Sequence, residues 1–191
     1  LDLQSACPLR AFCDARLGTR PLEPPSRGID PRLRGILLHR VLELASADAA
    51  TATAQAFAEL MPAGDAAWDR LLEAERRRVQ ELLDAFLALE ADRPPFRTVA
   101  VEQRIEIELA GRSLVGRMDR EDRLESGGRL LIDYKTGRRP ISGWFRERLG
   151  DCQLPLYAQH GDGDIAGVAV VTLGEERIAY RAAGAGTGEL P

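Results

Sequence analysis

An α/β domain is what the order of periodicities in this sequence predicts, with a helical portion over about residues 1–95 and a sheet core over about 96–181. Three observations carry that. Apolar residues recur at helical spacing as far as Leu89, alternate after Pro94-Pro95, and then run continuously through IAGVAVVTL behind one more helical segment. The 191 residues fit one domain, 45% hydrophobic and 29% charged, which is long enough to bury a core and excludes a disordered or fibrous chain. Residues 182–191 read as a flexible tail.

Taken in order, Leu3 to Leu17 reads as a short amphipathic helix, followed by a Pro/Gly-broken loop from Gly18 to Gly28. Asp30-Pro31 is a helix start, with Asp as N-cap and Pro at the first helical position. That helix runs through RLRGILLHRVLELA, with Leu37, Leu38, Val41, Leu42 and Ala45 as its apolar stripe. An Ala-rich helix covers Ala49 to Leu60, and a long one about Ala66 to Ala91, with Trp68, Leu72, Val79, Leu83 and Phe86 at helical spacing. VAVEQRIEIELA, SLVGRMDRED and RLLIDYKT read as three strands joined by tight turns at Ala110–Arg112 and Glu125–Gly128, hence an antiparallel meander. Asp151 to His160 looks helical, IAGVAVVTL is a buried strand, and ERIAYRA an edge strand.

No apolar run approaches the roughly 18 residues of a spanning helix, so no membrane is expected as a partner. The N-terminus LDLQSACPLR has neither the basic start nor the apolar core of a signal peptide, and without an initiating Met it reads as a piece of a longer chain. Cys7, Cys13 and Cys152 cannot pair evenly, which points to a reduced, cytoplasmic setting. A net charge of −4 argues against coating nucleic acid by bulk positive charge, but not against a local basic groove. Of 26 basic residues, 25 are Arg and one is Lys135. Compositional drift toward Arg leaves a lysine either by chance or where a compact, tunable ammonium is required.

Lys135 sits in a pattern. Asp133 and Lys135 lie at i and i+2 of the third strand and leave the same face, while Tyr134 points behind it. Asp119, near the end of the preceding strand, falls beside Asp133 across a short turn. Two carboxylates so close repel unless a cation joins them, and a hard divalent ion, Mg²⁺ or Mn²⁺, suits oxygen ligands. The bland alternative is a surface Asp-Lys pair with an unrelated Asp, since short DxK strings are common. His39 lies one helical turn after Gly35 at the edge of the apolar stripe, where it serves either as a locally satisfied histidine or as a ligand. Glu102 sits on the first strand, a near-metal acid or a plain polar position. Gln153 and Tyr157 share one helix face, and Tyr157 alone also reads as a residue packed on the sheet.

Five stretches in order resemble the RecB-like branch of the PD-(D/E)XK nuclease superfamily: SACPLRAF its Cys-Pro-led helix, RGILLHRVLE its Gly-x-x-x-His helix, GRMDRED the strand with the first metal-binding Asp, LIDYKTG the Asp-x-Lys core, and QLPLY the Gln-x-x-x-Tyr helix. They span residues 5 to 157. The resemblance implies a restriction-endonuclease-like mixed β-sheet flanked by helices, and a Mg²⁺- or Mn²⁺-dependent deoxyribonuclease, an exonuclease rather than an endonuclease, of DNA repair and recombination. It makes His39, Asp119, Asp133 and the Tyr134 backbone carbonyl the metal ligands. Lys135, with Asp119 and Asp133, is then catalytic, orienting the attacking water and offsetting charge on phosphorus. Gln153, Tyr157 and Glu102 support the metal or position DNA or Lys135.

DNA is the expected partner, with a helicase or other domains of a longer parent chain. Some relatives hold an iron–sulfur cluster through four cysteines; three cannot supply it, so no cluster is expected and Cys7 reads as a small buried hydrophobe. A local basic strip of Arg129, Lys135, Arg138, Arg139, Arg146 and Arg148, interleaved with Trp144 and Phe145, fits DNA. Arg76–Arg78 reads as a solvated helix face, and Arg10, Arg16 and Arg20 as phosphate contacts that the sequence alone does not establish. The alternative from another class is an inactive DNA-binding or scaffolding module with a nuclease fold; degenerate members lose the DxK residues, and here all are present. A third is a hydrolase of another phosphoester, against which the basic, aromatic strip argues.

Overall fold

The computed structural model describes residues 2–19, 28–45, 48–136, 141–145, 151–160, 163–174, 178–185, 188 and 190–191. Five helices come first: α1 (Asp2–Ala6), α2 (Pro8–Leu17), α3 (Pro31–Leu44), α4 (Ala49–Leu60) and α5 (Ala66–Ala91). Strands β1 (Phe96–Leu109), β2 (Arg112–Leu124) and β3 (Arg129–Lys135) follow, then a 3-10 turn at Ile141–Phe145, α6 (Gln153–His160), β4 (Ile165–Leu173) and β5 (Ile178–Gly184).

The expected single helix from Leu3 to Leu17 is two. Pro8 lacks an N–H and forces the residue before it toward extended backbone, so Cys7 (φ −160°, ψ 105°) breaks the run and becomes the N-cap of α2. No residue of α2 is buried, and Leu9 and Phe12 stand exposed. Cys7 is therefore exposed as well, which corrects the expectation of a small buried hydrophobe. The Asp30 cap is as the sequence predicts: its carboxylate accepts from Arg32 N (2.7 Å) and Leu33 N (3.3 Å).

The sheet is mixed, in spatial order β1-β2-β3-β4-β5. β1, β2 and β3 form the predicted antiparallel meander, β3 pairs parallel with β4, and β5 returns antiparallel on the outer edge. A parallel pair needs a long connection, and α6 lies within it. Ala110 (φ 50°) and Gly111 (φ 70°) are both left-handed, the turn that matches strand twist in a two-residue hairpin. β5 continues to Gly184, past the core boundary expected at 181, and Leu190 packs against the core.

Helices cover both faces. On one, Leu37, Leu38, Val41 and Leu42 of α3, Phe57 of α4, and Val79, Leu83 and Phe86 of α5 pack on Leu130, Ile132, Tyr134, Ala169 and Val171. On the other, Leu154 and Tyr157 of α6 meet Ile107, Met118, Leu131, Val168 and Val170. β3 and β4 are thus buried on both sides, which is why their sequences read as unbroken apolar runs. Among the described residues no helix is long and apolar enough to cross a membrane.

Candidate active site

The buried stripe of α3 fixes the helix against the sheet and leaves His39 at its edge, with the side chain 32% exposed. Gly35, one turn earlier, sits close to the end of β3: a Cβ there would lie 3.9 Å from Thr136 Oγ1. His39 Nε2 is 3.1 Å from the Tyr134 carbonyl oxygen, to which its N–H donates when Nε2 carries the proton. Nδ1 then turns a lone pair toward two carboxylates, Glu102 Oε1 at 3.5 Å and Asp119 Oδ2 at 3.7 Å. Three acceptors face one another, and only a cation or a proton between them satisfies all three.

Each carboxylate is held there by strand geometry. The β2–β3 ladder ends at Arg120–Ile132, and beyond it Tyr134 N–H donates to Asp119 Oδ2 (2.7 Å) instead of to a strand carbonyl. Glu102 lies between the Val101–Arg120 and Gln103–Met118 pairs, abreast of Asp119. Its φ of 49° is rare for a residue with a side chain, and it lies just past the register shift of β1 between Thr98 and Ala100. Ligand atoms of His39, Glu102 and Asp119 all lie within 4.8 Å of one another.

Asp133 and Lys135 share a face of β3, as the alternation requires, and pair tightly: Lys135 Nζ is 2.7 Å from Asp133 Oδ2 and 2.9 Å from Oδ1. Burial, with the charges of Asp119 and Asp151 added, pushes the Asp133 carboxyl up to about 6 against the pull of Lys135. Burial lowers the Lys135 ammonium, but Asp133, Asp151 and Asp119 outweigh it and hold its pKa above the ordinary value. Glu102 is also raised, by burial and by Asp119, with Arg117 and His39 opposing.

α6 reaches the same place from the other side. Tyr157 Oη accepts from Arg117 N (3.1 Å) and donates to Arg117 O (3.2 Å), and Gln153 Nε2 donates to the same carbonyl (3.2 Å). Both residues therefore grip β2 two positions before Asp119. Gly116 is required by that grip, because a Cβ there would come within 2.3 Å of Tyr157 Oη. Burial raises the Tyr157 pKa. His39, Glu102, Asp119, Asp133, Lys135, Gln153 and Tyr157 line one cleft of about 1040 Å³, and the Tyr134 carbonyl meets it through His39.

Phe145 is 73% exposed and free to stack, whereas Arg129 is engaged with Glu121 at 3.1 Å. Arg20, Arg138, Arg139, Arg146, Arg148 and the His160 side chain lie outside the described residues. Arg76 and Arg77 are exposed, and Arg78 clasps buried Glu75 at 2.6 Å. Sequence reasoning missed Asp151, whose charge acts on both Asp133 and Lys135, and Arg117, whose Nε is 2.7 Å from Glu102 Oε2.

It also missed a buried ionic network behind Tyr134. Arg120 donates to Asp122 Oδ1 (2.7 Å) and Oδ2 (2.8 Å) and to the Tyr134 hydroxyl (3.1 Å), and pairs with Glu90 at 2.6 Å. Arg93 Nη1 bridges Glu90 and Asp122, at 2.9 Å to each, and the Tyr180 hydroxyl donates to Glu90. A signal was present: RMDREDR is too charged for a strand whose residues Met118 to Asp122 are all buried, unless each charge has a partner.

The clustered donors, one imidazole and two carboxylates, with Asp133 in the same cleft paired to Lys135 and the Tyr134 carbonyl against His39 Nε2, fit a hard divalent cation and do not suit a thiophilic one. No curated protein matches the sequence. A solved structure titled "Crystal structure of SSO0001" aligns over 92% of this chain and 75% of its own, at 18% identity and a TM-score of 0.35. The family model of the PD-(D/E)XK nuclease superfamily matches residues 1–164, the stretch that contains every one of these side chains, and the chain accordingly belongs to that superfamily of nucleases.

Proposed function

We propose that the protein is a Mg²⁺- or Mn²⁺-dependent deoxyribonuclease of the RecB-like branch, a domain of a larger cytoplasmic protein of DNA repair or recombination, acting as an exonuclease. The observation that carries the reading is the apposition of His39, Glu102 and Asp119 beside the Asp133–Lys135 pair in one cleft. His39, Asp119, Asp133 and the Tyr134 carbonyl would hold the cation, with Glu102 beside them. Bound there, a divalent ion supplies Lewis-acid activation of the phosphoryl oxygen and of water.

The chain's own residues do the rest. Lys135, protonated and anchored by Asp133, presents one compact donor toward the scissile phosphate, where it orients the attacking water and offsets charge developing on phosphorus. Gln153 and Tyr157 fix the main chain of β2, and with it Asp119. Phe145, 73% exposed, offers a surface on which a base stacks. The intact Asp-x-Lys pair works against a retired, purely binding module. The test is incubation of end-labelled duplex and single-stranded DNA with the protein and Mg²⁺ or Mn²⁺. Cation-dependent degradation that Asp133→Ala abolishes is expected; folded wild-type protein that binds the cation yet cuts neither substrate overturns the reading.

A further inference from the structure

Arg117 has no part in the chemistry described so far, yet it sits at the mouth of the cleft in an unusual position. Its main chain is fixed on both sides, N–H and C=O, by Tyr157 and Gln153. Its side chain is 65% exposed, and its Nε lies 2.7 Å from Glu102 Oε2 and donates to the Glu102 carbonyl at 3.3 Å. A guanidinium has five N–H donors, and these contacts engage one. Glu102, in turn, is only 11% exposed, is bent into the cleft by its positive φ, and turns its other oxygen to His39.

The Glu102 carboxylate is thus drawn two ways, by Arg117 at Oε2 and, at Oε1, toward the place that a cation shared with His39 would occupy. A divalent ion shared with His39 and Asp119 needs the carboxylate's charge and lone pairs, and Arg117 already draws on both. A phosphodiester is the partner a guanidinium prefers, because two of its N–H groups meet two phosphate oxygens in one plane. Arg117 also reaches that partner without rearrangement of the backbone, since only its side chain has to swing.

We propose that Arg117 is a phosphate-sensing latch: it holds Glu102 through Oε2 in the free protein and yields that carboxylate to the divalent cation when a DNA phosphate takes the guanidinium, so that cation and DNA bind cooperatively. The proposal rests on the nuclease reading above and adds a positioning residue to it. Linkage makes the coupling reciprocal, so DNA tightens the cation by the same factor as the cation tightens DNA.

The experiment is a titration of Mn²⁺ into intact protein, read by the electron paramagnetic resonance signal of the free ion, so that no turnover is needed. Arg117→Ala is expected to tighten Mn²⁺ in the free protein by roughly 5- to 20-fold, within the usual range of such couplings. The gain disappears in a Glu102→Gln background, because the two act through one contact. Arg32→Ala, which removes an exposed charge from the same cleft, leaves Mn²⁺ affinity unchanged. Addition of a short single-stranded oligodeoxynucleotide with phosphorothioate linkages tightens Mn²⁺ in wild type and no longer does so in Arg117→Ala.

Unchanged or weaker Mn²⁺ binding in Arg117→Ala overturns the latch and leaves the nuclease reading standing. An equal gain from Arg32→Ala overturns it too, by showing a general charge effect. Wild-type protein that takes up no Mn²⁺ overturns both.

Discussion

Two clusters of charge lie back to back around Tyr134, and they differ in one respect. On the helix side, Glu90 and Asp122 meet Arg93 and Arg120, two carboxylates against two guanidiniums, with hydroxyls of Tyr134, Tyr180 and Thr98 bonded among them and the Arg93 guanidinium laid over the Phe96 ring, its Nε and Nη2 without a hydrogen-bond partner. On the cleft side, Glu102, Asp119 and Asp133 face Lys135 and the half-shared Arg117, with Asp151 adding further negative charge. The first cluster is neutral and sealed, so it fixes structure. The second has an excess of carboxylate turned toward an imidazole, so it is completed only by something from outside. Burial alone does not separate a structural charge cluster from a functional one; charge balance does.

The largest expected break in that contrast is Asp122→Ala. It strips two buried guanidiniums of a shared partner at a position with no exposure, and should cost about 3–5 kcal/mol of stability. Asp133→Ala, on the open side, should leave the cation-free protein as stable or more so, because burial, with Asp119 and Asp151 added, already pushes that carboxyl up to about 6. Urea unfolding of the two variants in chelator reads both. Equal losses would erase the distinction. Asp119→Ala falls between them, at about 1–3 kcal/mol, since it orphans the Tyr134 N–H.

Next comes Lys135. If the cleft needs a compact donor rather than bulk positive charge, Lys135→Arg should lose about 10²-fold in single-turnover cleavage, nearly as much as Lys135→Ala. An arginine variant that keeps more than roughly a tenth of the wild-type rate would show that the site reads charge alone.

Alkaline pH tests the sealed side. Both tyrosines of that side are raised above the ordinary value of 10: burial pushes Tyr134 up to about 12, and burial and then Glu90 push Tyr180 up. Since the unfolded chain loses these protons first, the stability they contribute is complete below pH 10 and drains away as pH rises through the folded values. Tyrosinate absorbance should therefore appear together with loss of helical circular dichroism, between about pH 10 and 12. A separate absorbance step at pH 10 in folded protein would show that the hydroxyls are not sealed.

The smallest effect is Tyr157→Phe. It deletes the hydroxyl bonded to Arg117 at both backbone groups and should cost about 1 kcal/mol, with a several-fold fall in cleavage rate. Loss of stability without any change in rate would reduce α6 to packing.

Much of this arrangement was legible in the sequence because it follows from local rules. Asp30-Pro31 announced α3, the alternation announced the meander, and the period of two put Asp133 and Lys135 on one face. What escaped was non-local or conformational. Arg93 and Asp122 are 29 positions apart, so no local pattern shows that they meet. Glu102 was readable as a strand acid but not as one of three clustered ligands, because that depends on a left-handed φ. α2 carries a sound amphipathic pattern, yet none of its residues is buried.

The clustering has a consequence for the order of assembly. Glu102, Asp119 and Asp133 all belong to three consecutive strands joined by tight turns, whereas His39 comes from a helix 95 positions before Tyr134. Hairpins close in microseconds, while contacts between distant segments wait on the slower search of the whole chain. The acids are thus expected to gather before their imidazole arrives, and tight Mn²⁺ uptake becomes a clock for helix docking. In stopped-flow refolding it should rise with the slowest phase, after strand circular dichroism has largely recovered.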